Sequence, residues 1–317
     1  MKKILVTGGA GFIGSHTCVE LINARYEPVV IDNFCNCSPE NIKGIEKITG
    51  KKLIVYERDV RDNIDDIFEK ENISAVIHFA GLKAVGESCE QPVRYFKNNI
   101  DSIINLIESM DKANVKSLLF SSSATVYGEN NPIPFKEGFP LSTTNPYGTT
   151  KLIGEKLIED ACKYLNFKAC NLRYYNPINS HESGLLPEKP LGIPTNIFPI
   201  IEQCVENDTI LTIFGNDYDT PDGTCVRDFI NVVDLANGHV KAIEFLETIQ
   251  NGICEVINLG TGKGMSVIEL IKAFEQKKNC KVKYQFGERR VGDIAAMLAD
   301  VSKAKKLLNW QTERTPV

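Results

Sequence analysis

The sequence predicts an α/β protein: a doubly wound parallel sheet followed by a smaller mixed α/β region. Three observations predict it. Short apolar runs rich in β-branched residues alternate with stretches of helical apolar spacing from residue 3 to about 175. Three glycines spaced three apart, Gly8, Gly11 and Gly14, sit where the first strand meets the first helix. The alternation then breaks near Asn176, where Pro177, Pro187, Pro190, Pro194 and Pro199 with Gly184 and Gly192 mark loop-rich chain.

Lys3-Ile4-Leu5-Val6-Thr7 reads as strand, and Ser15 to Ile22 has the spacing of a helix. Between them, Gly8 allows the sharp turn, Gly11 lets the backbone approach a pyrophosphate, and Gly14 lets helix and strand pack. The bare N–H groups of the helix start then face the anion. A second apolar run, Pro28-Val29-Val30-Ile31, ends in Asp32-Asn33, eighteen residues after Gly14. A carboxylate there accepts from an adenosine ribose 2'-OH and repels a 2'-phosphate, so the fingerprint reads as NAD rather than NADP. The glycine spacing alone is weak, since it recurs in ordinary turns; the strand and acidic residue around it give it meaning.

The pattern continues with strands over Lys52 to Tyr56, Ser74 to Gly81, Ser117 to Ser123 and Lys168 to Tyr175. Helices are expected over Ile64 to Asn72, Pro92 to Asn114 and Tyr147 to Leu165. Such alternation means right-handed βαβ units, helices on both faces of the sheet, and ligands at the carboxyl ends of the strands: a Rossmann-type fold. The expected division is 1–175 as the NAD-binding domain and 176–317 as the smaller, substrate-binding domain. Thr209 to Phe214 is a strand of the latter. Segments within 228–260, a helix over Asp228 to Glu247 and a strand over Val256 to Gly260, are expected to return to the first domain.

With 317 residues the chain can bury a sizeable core, and 43% apolar and 24% charged residues are ordinary for a globular protein. A net charge of −5 gives no basic footprint for nucleic acid or an anionic membrane. Met1-Lys2-Lys3 leads into a strand rather than a signal-peptide core, and no apolar run approaches bilayer-spanning length. The ten cysteines are scattered without a Cys-x-x-Cys pair, which fits reduced thiols in a cytoplasmic protein. His16, His78, His181 and His239 lack ligand spacing, so no metal site is expected.

Asn145-Pro146-Tyr147-Gly148-Thr149-Thr150-Lys151 places Tyr147 and Lys151 four apart at the head of a helix, hence on one face. A free phenol has a pKa of about 10, and a nearby ammonium favours its phenolate, so the pair can act as a general base near pH 7. A Tyr-x-x-x-Lys spacing by itself usually marks a solvated helix face. Downstream of a dinucleotide fingerprint and of the polar strand end Ser121-Ser122-Ser123, it reads as chemistry.

These motifs resemble the extended short-chain dehydrogenase/reductase superfamily, and within it the UDP-glucose 4-epimerase family. The strings that carry the resemblance are Gly8 to His16, Asp32-Asn33, His78 to Ser88, Ser121 to Gly128, Leu172 to Pro177, Phe214 to Tyr218 and Asp222-Gly223-Thr224. The resemblance implies that Ser123 and Tyr147 form the acid/base pair on the substrate 4-OH, with Lys151 binding the nicotinamide ribose and lowering the tyrosine pKa. It implies an NAD site lined by Gly8, Gly11, Phe12, Ile13, Gly14, Asp32, Asn33, Asn36, Asp59, Val60, Phe79, Ala80, Lys83, Asn98, Ser123, Tyr147, Lys151 and Tyr175. The UDP-sugar falls to Lys83, Ser123, Tyr147, Asn176, Asn196, Arg227, Arg290 and Asp293, with Met297 where the family gates the hexose pocket. Arg227 and Arg290 also suit a diphosphate on chemical grounds. The implied reaction is redox-neutral epimerisation at C4 of UDP-glucose and UDP-galactose through a transient 4-keto sugar, in galactose metabolism. The implied assembly is a homodimer packed through Pro92 to Asn114 and Tyr147 to Leu165.

Departures from the family pattern are Thr149-Thr150, Asn179-Ser180, and Met297, whose flexible side chain leaves N-acetylated hexoses open as substrates. The chain also ends at Thr315-Pro316-Val317 where the family continues, which is expected to cost stability. The alternatives are a related nucleotide-sugar dehydratase or decarboxylase, or a non-catalytic NAD-binding protein. Dehydratases of this kind carry an Asp-Glu pair after the residue equivalent to Ser123; this chain has Ala124-Thr125.

Overall fold

The inner strands of the central sheet are short, largely apolar runs with both faces covered, the burial that parallel strands require. In the computed structural model the sheet's strands include β1 (Lys3–Thr7), β2 (Glu27–Asp32), β3 (Ile54–Glu57), β4 (Ile73–His78), β5 (Ser117–Ser121) and β6 (Lys168–Tyr174). The structure describes residues 1–192, 194, 196–290 and 293–316; Ile193, Thr195, Val291, Gly292 and Val317, the last residue of the expected second domain, lie outside the described residues. The helices of this part are α1 (Phe12–Asn23), α2 (Glu40–Thr49), α3 (Asp65–Glu71), α4 (Val85–Glu90), α5 (Pro92–Lys112) and α6 (Pro146–Leu165). A seventh strand, Cys254–Leu259, pairs in parallel with β6, so the sheet runs Cys254–Leu259, β6, β5, β4, β1, β2, β3. The order reverses between β1 and β4, which opens a crevice at their carboxyl ends.

The period of two along β1 sends Ile4 and Val6 to one face and Leu5 to the other. Ile4 and Val6 pack with Cys18, Val19 and Leu21 of α1 and with Leu235, Val240 and Ile243 of the helix Val232–Thr248. Leu5 packs with Ile67, Ile103, Leu106 and Ile158 from α3, α5 and α6. Gly154 lets α6 lie close on this face, since a Cβ there would stand 2.7 Å from Ile103 and 2.8 Å from Phe120.

The run from Asp228 to Glu247 is not one helix. Phe229–Asn231 pairs in parallel with Asn176–Ile178, and the helix begins at Val232, where the Asn231 side chain caps it by accepting from Val233 N at 2.9 Å. The sequence reading also lacked α2 and α4 and the helices Ile197–Glu206, Val267–Lys278 and Ser302–Leu308. The first two begin without a side-chain cap, so their starts carry no capping motif to read. A separate apolar cluster, with Phe198, Ile213, Phe229, Leu270 and Phe274, holds together much of the chain after residue 176. Among the described residues no helix is long and apolar enough to cross a membrane, and all ten cysteines are free.

Candidate active site

The glycine turn is built as its spacing demands. Gly8 sits at φ +70°, and a Cβ on Gly14 would stand 2.2 Å from the Gly8 carbonyl oxygen. Gly11 is the cap of α1, and no side chain caps the first N–H groups of the helix, which leaves them for an anion. Gly14→Ala is therefore expected to push the turn off the helix, costing about 1–3 kcal/mol of stability. The variant should purify without bound dinucleotide, and nucleotide content and Tm read the two effects separately.

Asp32 closes the other side of the turn. Its Oδ2 accepts from Ala10 N at 3.0 Å and its Oδ1 from Phe34 N at 2.9 Å and from the Cys37 thiol at 3.5 Å. A carboxylate has about four acceptor sites, so room remains for a ribose hydroxyl. Asn33 Nδ2 donates to Asp59 at 2.8 Å, and the guanidinium of Arg61, on the same carboxylate, holds Asp59 well below the usual carboxylate range. Asn41 Nδ2 donates to the Ala10 carbonyl at 2.7 Å, a tie the sequence reading missed.

These groups line one cleft of ≈ 340 Å³. The same cleft is lined by Gly11, Phe12, Ile13, Asn36, Val60, Phe79, Ala80, Lys83, Asn98, Tyr175, Asn176 and Asn196, and by Ser123, Tyr147 and Lys151. The acid/base candidates and the glycine turn thus share a crevice, at the point where the strand order reverses. An uncapped helix start, glycines that a side chain would fill and a carboxylate with acceptor capacity to spare fit a dinucleotide.

Asn145 starts α6: its side chain accepts from Gly148 N at 2.8 Å, and Pro146 takes the first helical position. That start points Tyr147 and Lys151 along one face. Lys151 Nζ donates to the Ser121 carbonyl at 2.7 Å and lies 5.0 Å from the Phe120 ring centroid and 5.8 Å from that of Tyr147. Ser123 caps the short turn Ala124–Tyr127, and its Oγ accepts from Thr125 N at 3.2 Å and Thr125 Oγ1 at 3.0 Å. With both lone pairs engaged, the Ser123 proton is left to donate.

The electrostatics differ from the sequence expectation in one respect. Burial pushes the Tyr147 phenol up to about 12, opposed by its hydrogen bond to Ser123. Burial also pushes Lys151 down to about 8, opposed by the Glu155 carboxylate. Burial, which disfavours the phenolate, thus sets the direction of the Tyr147 shift, and the Lys151 ammonium does not bring it down.

Arg227, Arg290, Asp293 and Met297 form a neighbouring cluster outside this cleft lining. Arg227 donates to the Ile294 carbonyl at 2.8 Å and lies 3.4 Å from Asp293; Arg290 meets Asp293 at 3.0 Å and stacks 4.8 Å from the Phe214 ring. Met297 pairs alongside Arg227 and packs with Ala124 and Tyr175, which joins the cluster to the cleft. Asp228, next to Arg227, accepts from Thr261 N, Gly262 N and Ala299 N at 2.7–3.2 Å and fixes this strand from beneath.

Comparison with known proteins decides the family. The chain is 51% identical to UDP-glucose 4-epimerase of Dictyostelium discoideum over 98% of its length and 91% of the relative's. It is also 51% identical to the Bacillus subtilis enzyme, over 98% and 92%. The chain belongs to the UDP-glucose 4-epimerase family. The wider family description that matches, over residues 5–315, is GDP-mannose 4,6 dehydratase. The crystal structure of the Bifidobacterium longum UDP-glucose 4-epimerase, in complex with NAD+ and UDP, superposes with a TM-score of 0.95 at 48% identity, covering 99% of this chain and 95% of that one. The Stenotrophomonas epimerase, with NAD and formylated UDP-arabinopyranose, gives 0.96 at 42%, covering 100% and 95%. Within the wider family, Ala124 and Thr125 separate this chain from a dehydratase. The first is a buried apolar side chain and the second is engaged with Ser123, so neither supplies the acid or base for eliminating water.

Proposed function

We propose that this chain interconverts UDP-glucose and UDP-galactose by reversible oxidation at the sugar C4, through a transient 4-keto sugar, with NAD retained in the cleft. The observation that carries the reading is the convergence of Tyr147, Ser123 and Lys151 in the cleft that the glycine turn opens. NAD, when bound, supplies the two-electron step and, in its oxidised form, a positive ring charge.

The protein's own residues do the rest. The α1 N-terminus and the glycine turn hold the pyrophosphate, and Asp32 reads the adenosine ribose. Lys151 spends one N–H on the Ser121 carbonyl and keeps two for the nicotinamide ribose hydroxyls. Ser123 turns its hydroxyl proton from the Tyr147 phenol to hydrogen-bond the oxygen at C4, and Tyr147 takes the 4-OH proton and returns it when the keto group is reduced. The Tyr147 phenol, held up to about 12 by burial, would be brought down by a positive charge bound in the cleft. Arg227 and Arg290 supply charge for the UDP diphosphate, with Asn176 and Asn196 on the cleft side. Met297, paired with Arg227 and packed on the cluster that contains Tyr175, is the residue that would set the space left for the hexose.

UDP-galactose deuterated at C4 tests the reading. It should give UDP-glucose that still carries the label at C4, because the oxidation is reversed in the same site. Release of a 6-deoxy-4-keto sugar would mark a dehydratase and overturn it.

The division into an NAD-binding domain, 1–175 with segments of 228–260, and a UDP-sugar domain from 176 is supported by the parallel pairing of Cys254–Leu259 with β6. A homodimer through α5 and α6 is supported by the exposed Val93 and Ile104 on the first and Tyr164 and Leu165 on the second. A cytoplasmic place in galactose metabolism is the setting that reduced thiols and the proposed substrates support.

A further inference from the structure

The cleft contains a carboxylate that the reaction above does not use. Glu188 lies in the proline-flanked run after Gly184, with a side chain only 8% exposed. Its Oε1 accepts from Lys83 Nζ at 3.1 Å and from Asn196 Nδ2 at 2.5 Å. The two donors come from different parts of the chain, one from the loop after β4 and the other from the start of the helix Ile197–Glu206. Both line the cleft, and so does Glu188 itself.

The run is seated, not draped. Leu186 is buried in the same apolar core as Ile45, and Gly44 admits the run there, since a Cβ on it would stand 2.6 Å from the Leu185 carbonyl oxygen and 2.8 Å from the Leu186 side chain. A carboxylate in a cleft built for phosphates is costly unless it is paired, and Lys83 pairs it. After each donor gives one N–H to Glu188, Lys83 keeps two and Asn196 keeps one N–H and its carbonyl. A long ammonium side chain that would otherwise sample many rotamers is thereby fixed beside an amide from a distant part of the chain.

We propose that Glu188 is a positioning residue for the UDP-sugar: it holds Lys83 and Asn196 together across the cleft so that their remaining N–H groups are aimed before the substrate arrives. This rests on the UDP-sugar reading of the cleft. It predicts loss of substrate affinity rather than loss of chemistry when the carboxylate is removed.

The test uses Glu188→Gln and Glu188→Ala, each with three readouts: KM and kcat for UDP-galactose, UDP affinity by calorimetry, and Tm. Glu188→Ala is expected to raise KM and the Kd for UDP by at least tenfold, with kcat within about threefold and Tm close to that of the parent. Glu188→Gln, which keeps an acceptor for both donors, should recover most of that loss. Unchanged KM and Kd in both folded variants would overturn the proposal. So would a fall in Kd, which would mean that the carboxylate repels the diphosphate. A loss of kcat and Tm together with no rescue by Gln would assign Glu188 a merely structural role. If the parent binds UDP but does not convert UDP-galactose, the reaction assigned above fails, and the calorimetric comparison still decides the role of Glu188.

Discussion

Tyr147→Phe is expected to slow conversion of UDP-galactose by about 10²–10⁴-fold, the usual contribution of a positioned acid/base group, while the protein keeps its NAD. The phenol oxygen is the only atom removed. The ring stays beside Lys151 on the first turn of α6, and the glycine turn and Asp32 are untouched, so folding and cofactor content should match the parent. The pH dependence sharpens the prediction. Burial holds the Tyr147 phenol up at about 12, so it stays protonated through neutral pH. Spectrophotometric titration of nucleotide-free protein should therefore show no tyrosinate from this residue near pH 7. Loading with oxidised NAD should move one titration downward, and that titration should be missing in Tyr147→Phe. A titration that stays near 12 with NAD bound would leave the protein without its base.

The second large effect is expected behind the site. Glu155 accepts from Arg173 Nε at 2.8 Å and Nη2 at 2.5 Å, and both side chains are almost wholly buried, at 6% and 3% exposure. Ser122 also donates to Glu155, and the Arg173 guanidinium lies 4.8 Å from the Tyr127 ring centroid. Glu155→Ala strands a buried guanidinium and is expected to cost about 3–5 kcal/mol, read as a lower urea midpoint. Replacing Glu155 and Arg173 together by apolar residues of similar volume should cost much less, since no charge is then left unpaired. The pair also reaches the chemistry. The Glu155 carboxylate is what holds Lys151 up against its burial. Losing it lets the Lys151 pKa fall below about 8, so the alkaline limb of the activity profile should move to lower pH. A stability loss confined to a few tenths of a kcal/mol would show that the pair is not the anchor its geometry indicates.

Most of the sheet was legible because its strands are short β-branched runs punctuated by glycine, proline and polar ends. The strand over Val256 to Gly260 was expected to return to the first domain, but its place beside β6 rests on contacts across more than eighty residues, which no local pattern encodes. The helix over Asp228 to Glu247 was misplaced at its start because Phe229 and Ile230 suit either period, and only the Asn231 cap and the pairing with Asn176–Ile178 decide between them. At the site, Tyr147 and Lys151 could be paired by helical spacing alone. The charge balance between them could not, because desolvation depends on what covers the pair. Glu188 carried no signal, since one acidic residue among prolines looks like a solvated loop until the fold brings Lys83 and Asn196 to it.

The most direct test of the central claim is to incubate purified protein with UDP-galactose, without added NAD, and to resolve the nucleotide sugars by chromatography. The account predicts conversion to UDP-glucose by the parent, from NAD carried through purification, and none above background by Tyr147→Phe. No conversion by correctly folded parent, even after NAD is supplied, would contradict it.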